Sequence, residues 1–274
     1  MRDFGQSTDE TTNPTQLRAA RAASFGAHAA AYAEHRPDYP ATGIRWALEP
    51  VGASAAPVVL DLGAGTGKLT EGLLAVGADV IAVEPDAAMR AELVRRFPAV
   101  TASAGAAEAI PLADDSVDAV LVGQAFHWFD QARAFPEIAR VLRGGGVFAA
   151  LWNEDDLGVE WVAGLQKVAR TAASFPPPRP QPAPLPAHPL FENFERADFP
   201  HRQRRTAESL TATIGTHSHT LVIPAQARGE LLERISDYLR SRPETATGEF
   251  DLPIRTEIVR AVHRLADGPT PQPN

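Results

Sequence analysis

Residues 57–84, PVVLDLGAGTGKLTEGLLAVGADVIAVE, constrain the fold of this chain more than any other stretch. Apolar Val58, Val59 and Leu60 end in Asp61, and Gly63, Gly65 and Gly67 follow. Leu69, Leu73 and Leu74 then recur at helical spacing up to Gly77, and a second apolar run, 80–83, ends in Glu84. The order is strand, glycine loop, helix, strand, the unit that presents a nucleoside at the carboxyl ends of parallel strands. Glycines let a ligand approach backbone that a Cβ would obstruct, and the following helix offers N–H groups and the positive end of its dipole. A carboxylate closing the next strand, here Glu84, can accept hydrogen bonds from a ribose diol.

Spacing sorts the ligands this loop could hold. A dinucleotide fingerprint begun at Gly63 needs a small residue at position 68, which is Lys68; a phosphate-binding loop aligned on Gly67 and Lys68 needs Gly at 62 and Ser or Thr at 69, which are Leu62 and Leu69. What remains, D-L-G-A-G-T-G, resembles motif I of the class I S-adenosylmethionine-dependent methyltransferases. The resemblance implies that Asp61, Gly63, Ala64, Gly65 and Gly67 carry the methionine part of S-adenosyl-L-methionine. It also implies that Glu84, about 20 residues after the first glycine, binds the ribose, with Pro85 beside it. Asp86 is a plausible helix N-cap. Met89 is read either as helix core or as a contact to the adenine edge.

Three further segments extend the resemblance. Residues 25–40, FGAHAAAYAEHRPDYP, match the Y-x-x-x-R-P-x-Y-P lid of small-molecule methyltransferases at Tyr32, Arg36, Pro37, Tyr39 and Pro40. The match implies that Arg36 faces the cofactor carboxylate; an amphipathic covering helix is the alternative. Residues 105–111, GAAEAIP, resemble G-D-A-E-x-L-P, in which an acidic side chain holds the adenine amino group. Ala106 replaces that acid, so backbone at Ala106 and Ala107 is what remains for the contact. Residues 124–130, QAFHWFD, stand at the tip of the expected fourth strand. They resemble the A-x-H-W segment of a branch that includes trans-aconitate methyltransferase-like enzymes, and not the N/D-P-P-Y/F turn of nucleic-acid and protein-glutamine N-methyltransferases.

These segments supply the candidate site residues. Gln124 is assigned to the cofactor and the pocket wall; Phe126, Trp128 and Trp152 are assigned to the acceptor. His127 and His35 are candidate bases with Tyr32 beside them, since an imidazole near its ordinary pKa of about 6.5 can take a proton from a hydroxyl or an activated carbon acid. The alternative for His127 is a structural histidine against Trp128.

The alternation of strands and helices predicts an α/β, Rossmann-like, seven-stranded and mostly parallel sheet with helices on both faces, an antiparallel last strand and an N-terminal helical lid. Residues 1–24 read as disordered and 25–266 as one methyltransferase domain, with 267–274 as a tail. Within the domain, 25–56 form the lid, 57–153 the core, 154–249 an insertion covering the acceptor, and 250–266 the last strand. Strands are expected at 100–104, 118–123, 147–152, 194–206 and 250–263, and helices at 131–142, 161–173, 209–215 and 226–239. Residues 144–146, all glycine, are expected to stop the helix before them. The proline-rich stretch 175–189 can be neither helix nor central strand.

Composition narrows the function classes. With 274 residues and a net charge of −8, the chain can build a sizeable core and repels phosphate backbones, which argues against a nucleic-acid partner. It has no cysteine, so thiolate catalysis and cysteine-ligated metal are excluded. Carboxylates at 114, 115 and 118 lack calcium-loop spacing, and His217 and His219 lack further ligands, so no metal is expected. No apolar run reaches membrane-spanning length, and a cytoplasmic monomer or homodimer is expected. The reading is transfer of a methyl group from S-adenosyl-L-methionine to O, N or C of a small-molecule acceptor, largely apolar and with aromatic molecules included, releasing S-adenosyl-L-homocysteine. An NAD(P)-dependent oxidoreductase and a cofactor-binding regulatory protein without turnover stay open on the sequence alone.

Overall fold

Short apolar runs bounded by acidic residues and glycines become the strands, and the computed structural model describes them within residues 37–52, 56–171, 174, 185 and 187–264. Helix α1 (Ala41–Leu48) and a 3-10 turn (Glu49–Val51) precede β1 (Val58–Leu62), α2 (Lys68–Ala75), β2 (Asp79–Val83), α3 (Ala87–Arg96) and β3 (Thr101–Ser103). Then come β4 (Val117–Gly123), a 3-10 turn (Phe126–Trp128), α4 (Gln131–Val141) and β5 (Leu142–Asp155). The remainder is α5 (Glu160–Val168), β6 (Glu195–Arg205), α6 (Ala207–Gly215), α7 (Ser218–Leu221), α8 (Ala225–Arg240) and β7 (Phe250–Val262).

The seven strands form one sheet in the order β3-β2-β1-β4-β5-β7-β6. Neighbours from β3 to β5 pair in parallel, and β7 runs antiparallel to both β5 and β6. The expected seven-stranded, mostly parallel sheet with an antiparallel last strand is therefore present. The order reverses between β1 and β4, and an open sheet of this kind binds ligands in the crevice at that reversal.

Alternation along the strands sends side chains into two cores. Val59, Val80, Ala119, Leu121 and Leu151 meet Ile44 of α1, Leu69 and Leu73 of α2 and Leu93 of α3 on one face. Leu60, Val83, Val120 and Phe148 meet Phe135 and Ile138 of α4, together with Phe126 and Phe191, on the other. A third cluster joins α5, α6 and α8 to Phe250, Leu252 and Ile254 of β7. Asp86 caps α3, its Oδ1 accepting from the N–H groups of Ala88 and Met89 at 2.9 Å, which fixes how the chain leaves Glu84.

Two local expectations are corrected. Residues 144–146 lie inside β5, because the chain turns extended at Leu142 and that residue already pairs with Val117; the three glycines sit at an irregular register between Val117 and Ala119. The helix expected over 161–173 ends at Val168.

Candidate functional site

The glycine loop is built from its own hydrogen bonds. The N–H groups of Gly63 and Ala64 donate to Val83 O, that of Gly67 to Ala64 O, and that of Gly65 to Glu84 Oε2 at 2.8 Å. Gly63, Gly65 and Gly67 all take positive φ, and a Cβ on Gly63 would meet Ala125 at 2.8 Å. Gly67 has a different task from its neighbours. It starts α2 against Phe97, which a Cβ would meet at 2.7 Å, and it lines neither of the clefts that follow.

Two carboxylates flank the loop. Asp61 is fully buried; its Oδ2 accepts from the Thr70 hydroxyl at 2.6 Å, while its Oδ1 has no hydrogen-bond partner among the described residues. Burial pushes the Asp61 carboxyl up to about 7 against the hydrogen bonds from Thr70, and the Glu84 charge adds to the rise. Glu84 is 7% exposed, and its Oε1 accepts from the Asp86 N–H at 2.8 Å. Burial raises its pKa too, opposed by the N–H groups of Asp86 and Gly65.

Two clefts open on these groups and share Gly63, Gly65, Gly123 and Gln124. The smaller, about 40 Å³, includes Asp61, Ala64 and Thr66. The larger, about 260 Å³, has Glu84, Pro85 and Met89 on one side and Ala106, Ala107 and Trp128 on the other. Most of the residues expected to bind the cofactor are thereby brought to one place. Trp128, expected at the acceptor, lines this larger cleft instead.

Gln124 stands where the clefts meet. It holds φ at +55°, a strained value for a residue with a Cβ, and its Nε2 donates to Asn153 O at 2.9 Å. Asn153 Nδ2 donates to Asp38 O at 3.1 Å, and its Oδ1 accepts from the Thr256 hydroxyl at 2.5 Å. Lys68 Nζ reaches Asp38 Oδ1 at 3.0 Å. These ties hold the segment after residue 36 against the end of β5. Tyr32, His35 and Arg36 themselves lie outside the described residues.

The other aromatic residues gather elsewhere. Phe126, His127 and Trp152 line a separate cavity of about 300 Å³ with Phe194, Arg196 and the buried Glu257, which ion-pairs with Arg196. His127 packs beside Trp128 with ring centroids 4.8 Å apart and the ring planes tilted by 46°. None of the three lines the clefts at Asp61 and Glu84. His217 precedes the short helix α7 and His219 lies within it, their ring centroids 5.5 Å apart, and no group of three or more potential metal ligands occurs among the described residues.

The sequence reading missed Thr70, Asn153 and Arg140. Arg140 donates to Ile110 O and Leu112 O at 2.8 Å and pairs with Glu137 and Asp114. It thereby braces the loop that carries Ala106 and Ala107. Thr70 had a signal in its position one helical turn into α2, facing the strand that carries Asp61.

The comparisons agree with this geometry. A family profile for a methyltransferase domain matches residues 60–150. An uncharacterised methyltransferase of Mycobacterium tuberculosis is 39% identical over 246 residues, 87% of this chain and 95% of that protein. One from Schizosaccharomyces pombe is 30% identical over 237 residues, 85% and 94%. A solved structure from Anaeromyxobacter dehalogenans, assigned as a type II methyltransferase, superposes with a TM-score of 0.61 at 28% identity, over 84% of this chain and 97% of that one. With relatives this similar along nearly their whole length, and with the strand order and loop just described, the chain belongs to the class I S-adenosylmethionine-dependent methyltransferases.

Proposed function

We propose that the two clefts hold S-adenosyl-L-methionine and that the protein transfers its methyl group to a small-molecule acceptor. One observation carries the reading: Asp61 lines the smaller cleft, and its buried Oδ1 has no hydrogen-bond partner among the described residues. An acceptor buried without a partner costs about 1–3 kcal/mol, which a ligand bearing a cationic N–H group recovers. The amino group of the methionine moiety is such a group.

The donor inventory favours this cofactor over a dinucleotide. A pyrophosphate needs free N–H groups at the loop and helix start. Here the N–H groups of Gly63, Ala64, Gly65 and Gly67 are spent inside the protein, and the carboxylates of Asp61 and Glu84 flank the loop. The carboxylates favour a cationic group beside the loop, and Lys68, which also lines the smaller cleft, is paired with Asp38. Glu84, fixed by two N–H groups, is the group for the ribose hydroxyls, and Ala106, Ala107, Met89 and Trp128 bound the space for the base.

When bound, the cofactor supplies an electrophilic methyl carbon: the acceptor lone pair forms the new bond as the carbon–sulfur bond breaks and its electron pair stays on sulfur. The chain's own part is to align and to exclude water. Gln124 and Asn153 wall the junction of the clefts, and Pro37 closes it from the lid side. A proton released by an O–H or N–H acceptor passes to solvent or to a base. His35 and Tyr32 of the lid keep that role as proposals, whereas His127 lines the separate aromatic cavity. Calorimetry with S-adenosyl-L-methionine and with NAD(P)H, followed by incubation with labelled methyl donor and cell extract, tests the reading. Binding of the nicotinamide but not of the sulfonium nucleoside would overturn it.

A further inference from the structure

A second chamber shares Pro37, Gln124 and Asn153 with the smaller cleft, and so adjoins the place where the reactive carbon would lie. Its volume is about 120 Å³. Strand β7 and helices α5 and α6 give it an apolar wall that includes Leu165, Leu210 and Ile254. The aromatic cavity beyond Phe126 is larger, but it shares no lining residue with either cleft.

The polar groups of this chamber are all acceptors waiting for donors, or are already paired. At its mouth, Gln124, Asn153 and Thr256 satisfy one another. Gln203, also on the lining, has its Oε1 buried with no hydrogen-bond partner among the described residues. Glu154 pairs with Arg255 at 3.1 Å, whereas Asp155 makes no ion pair among the described residues. Asp155 lines the chamber and keeps an exposed surface; desolvation at the wall, with the like charge of Glu154 adding to it, pushes its carboxyl up to about 6. Among the described residues no lysine or arginine lines the space, and His217 is the ionisable donor group on its wall. Glu154 is offset by Arg255, so an anion placed there would meet the Asp155 carboxylate and the Gln203 oxygen, while a hydroxyl or ammonium would complete both.

We infer that this chamber is the acceptor site and that it selects a compact molecule with an apolar body and a neutral or cationic O–H or N–H donor group, excluding carboxylates. The inference rests on the methyltransferase reading above. It assigns Gln203 and Asp155 to specificity and makes no demand on the cofactor clefts.

The test uses the full chain saturated with S-adenosyl-L-homocysteine, titrated in a calorimeter with hexan-1-ol, hexylamine and hexanoate. The alcohol and the amine should bind at least about tenfold more tightly than the carboxylate. Gln203→Leu should weaken the alcohol by about fivefold or more. Asp155→Asn should narrow the gap between amine and carboxylate. Both variants should hold S-adenosyl-L-homocysteine as the parent does, which separates a lost contact from a lost fold. Hexanoate binding as well as the other two, no binding of any probe, or variants that leave all three affinities unchanged would overturn the inference alone. Failure of S-adenosyl-L-homocysteine itself to bind would remove the methyltransferase reading and this one with it.

Discussion

The Gly65 N–H points at Glu84 Oε2 from 2.8 Å, so the glycine loop and the carboxylate at the end of the neighbouring strand are one hydrogen-bonded unit. The loop's shape is fixed partly by the residue that would grip the ligand's sugar, and the two cannot be altered separately.

Glu84→Ala should therefore show two losses. Cofactor affinity should fall by about 1–3 kcal/mol, the scale for hydrogen bonds to a charged group at a buried site. The ligand-free protein should also melt earlier, since the Gly65 and Asp86 N–H groups lose their acceptor. Calorimetry and a thermal melt measure both, and unchanged affinity would take Glu84 out of the site.

Asp61 makes stability depend on pH. Its carboxyl ordinarily titrates at 3.8 but in the fold at about 7. Between those values the folded protein binds more protons than the unfolded chain, so stability falls as pH rises through the window and the full penalty stands above it. At about 1.4 kcal/mol per unit the penalty reaches at most about 4 kcal/mol. Asp61→Asn removes it. The ligand-free variant should gain in melting temperature over the parent by more at pH 8 than at pH 5. Parallel curves for the two proteins would show that the carboxyl titrates normally.

Gln124→Gly tests strain kept for function. Glycine accepts φ of +55° freely, which should return about 1 kcal/mol of stability. The variant also loses the bond to Asn153 O and the wall between the clefts. The expected outcome is a melting temperature at or above that of the parent, with methyl transfer slowed by about tenfold or more. A slower enzyme that is also less stable would count against stored strain.

Arg140→Lys should cost about 1–3 kcal/mol, because a lysine cannot hold Ile110 O, Leu112 O, Glu137 and Asp114 together as the guanidinium does. The loop at Ala106 should loosen with it, and hydrogen exchange at residues 105–112 should rise relative to that at β1.

The legible parts of this molecule are those whose causes lie close together in sequence. Alternating apolar runs, the positive-φ glycines and the Asp86 cap are each set within a few residues, so β1, α2, β2 and the start of α3 could be placed from the sequence alone. The network of Gln124, Asn153 and Thr256 spans more than a hundred positions and has no pattern along the chain. Residues 144–146 misled for a related reason: three glycines look like a helix stop until the pairing of Leu142 with Val117 draws them into a strand. The chamber beside Gln124 was invisible because its walls come from β5, α5, β6, α6 and β7 and meet only in space. Trp128 and Phe126 are separated by one residue, yet the 3-10 turn that carries them sends one to the cleft at Glu84 and the other into the core.

Strand β7 lies between β5 and β6, and it is the last of the seven in the sequence. The parallel strands that carry Asp61, Glu84 and Gln124 all emerge from the ribosome before it. Leu252 and Ile254, by contrast, arrive only with β7 itself. Synthesis thus finishes the walls of the clefts at Asp61 and Glu84 first and leaves the adjoining chamber open until the closing strand threads into place.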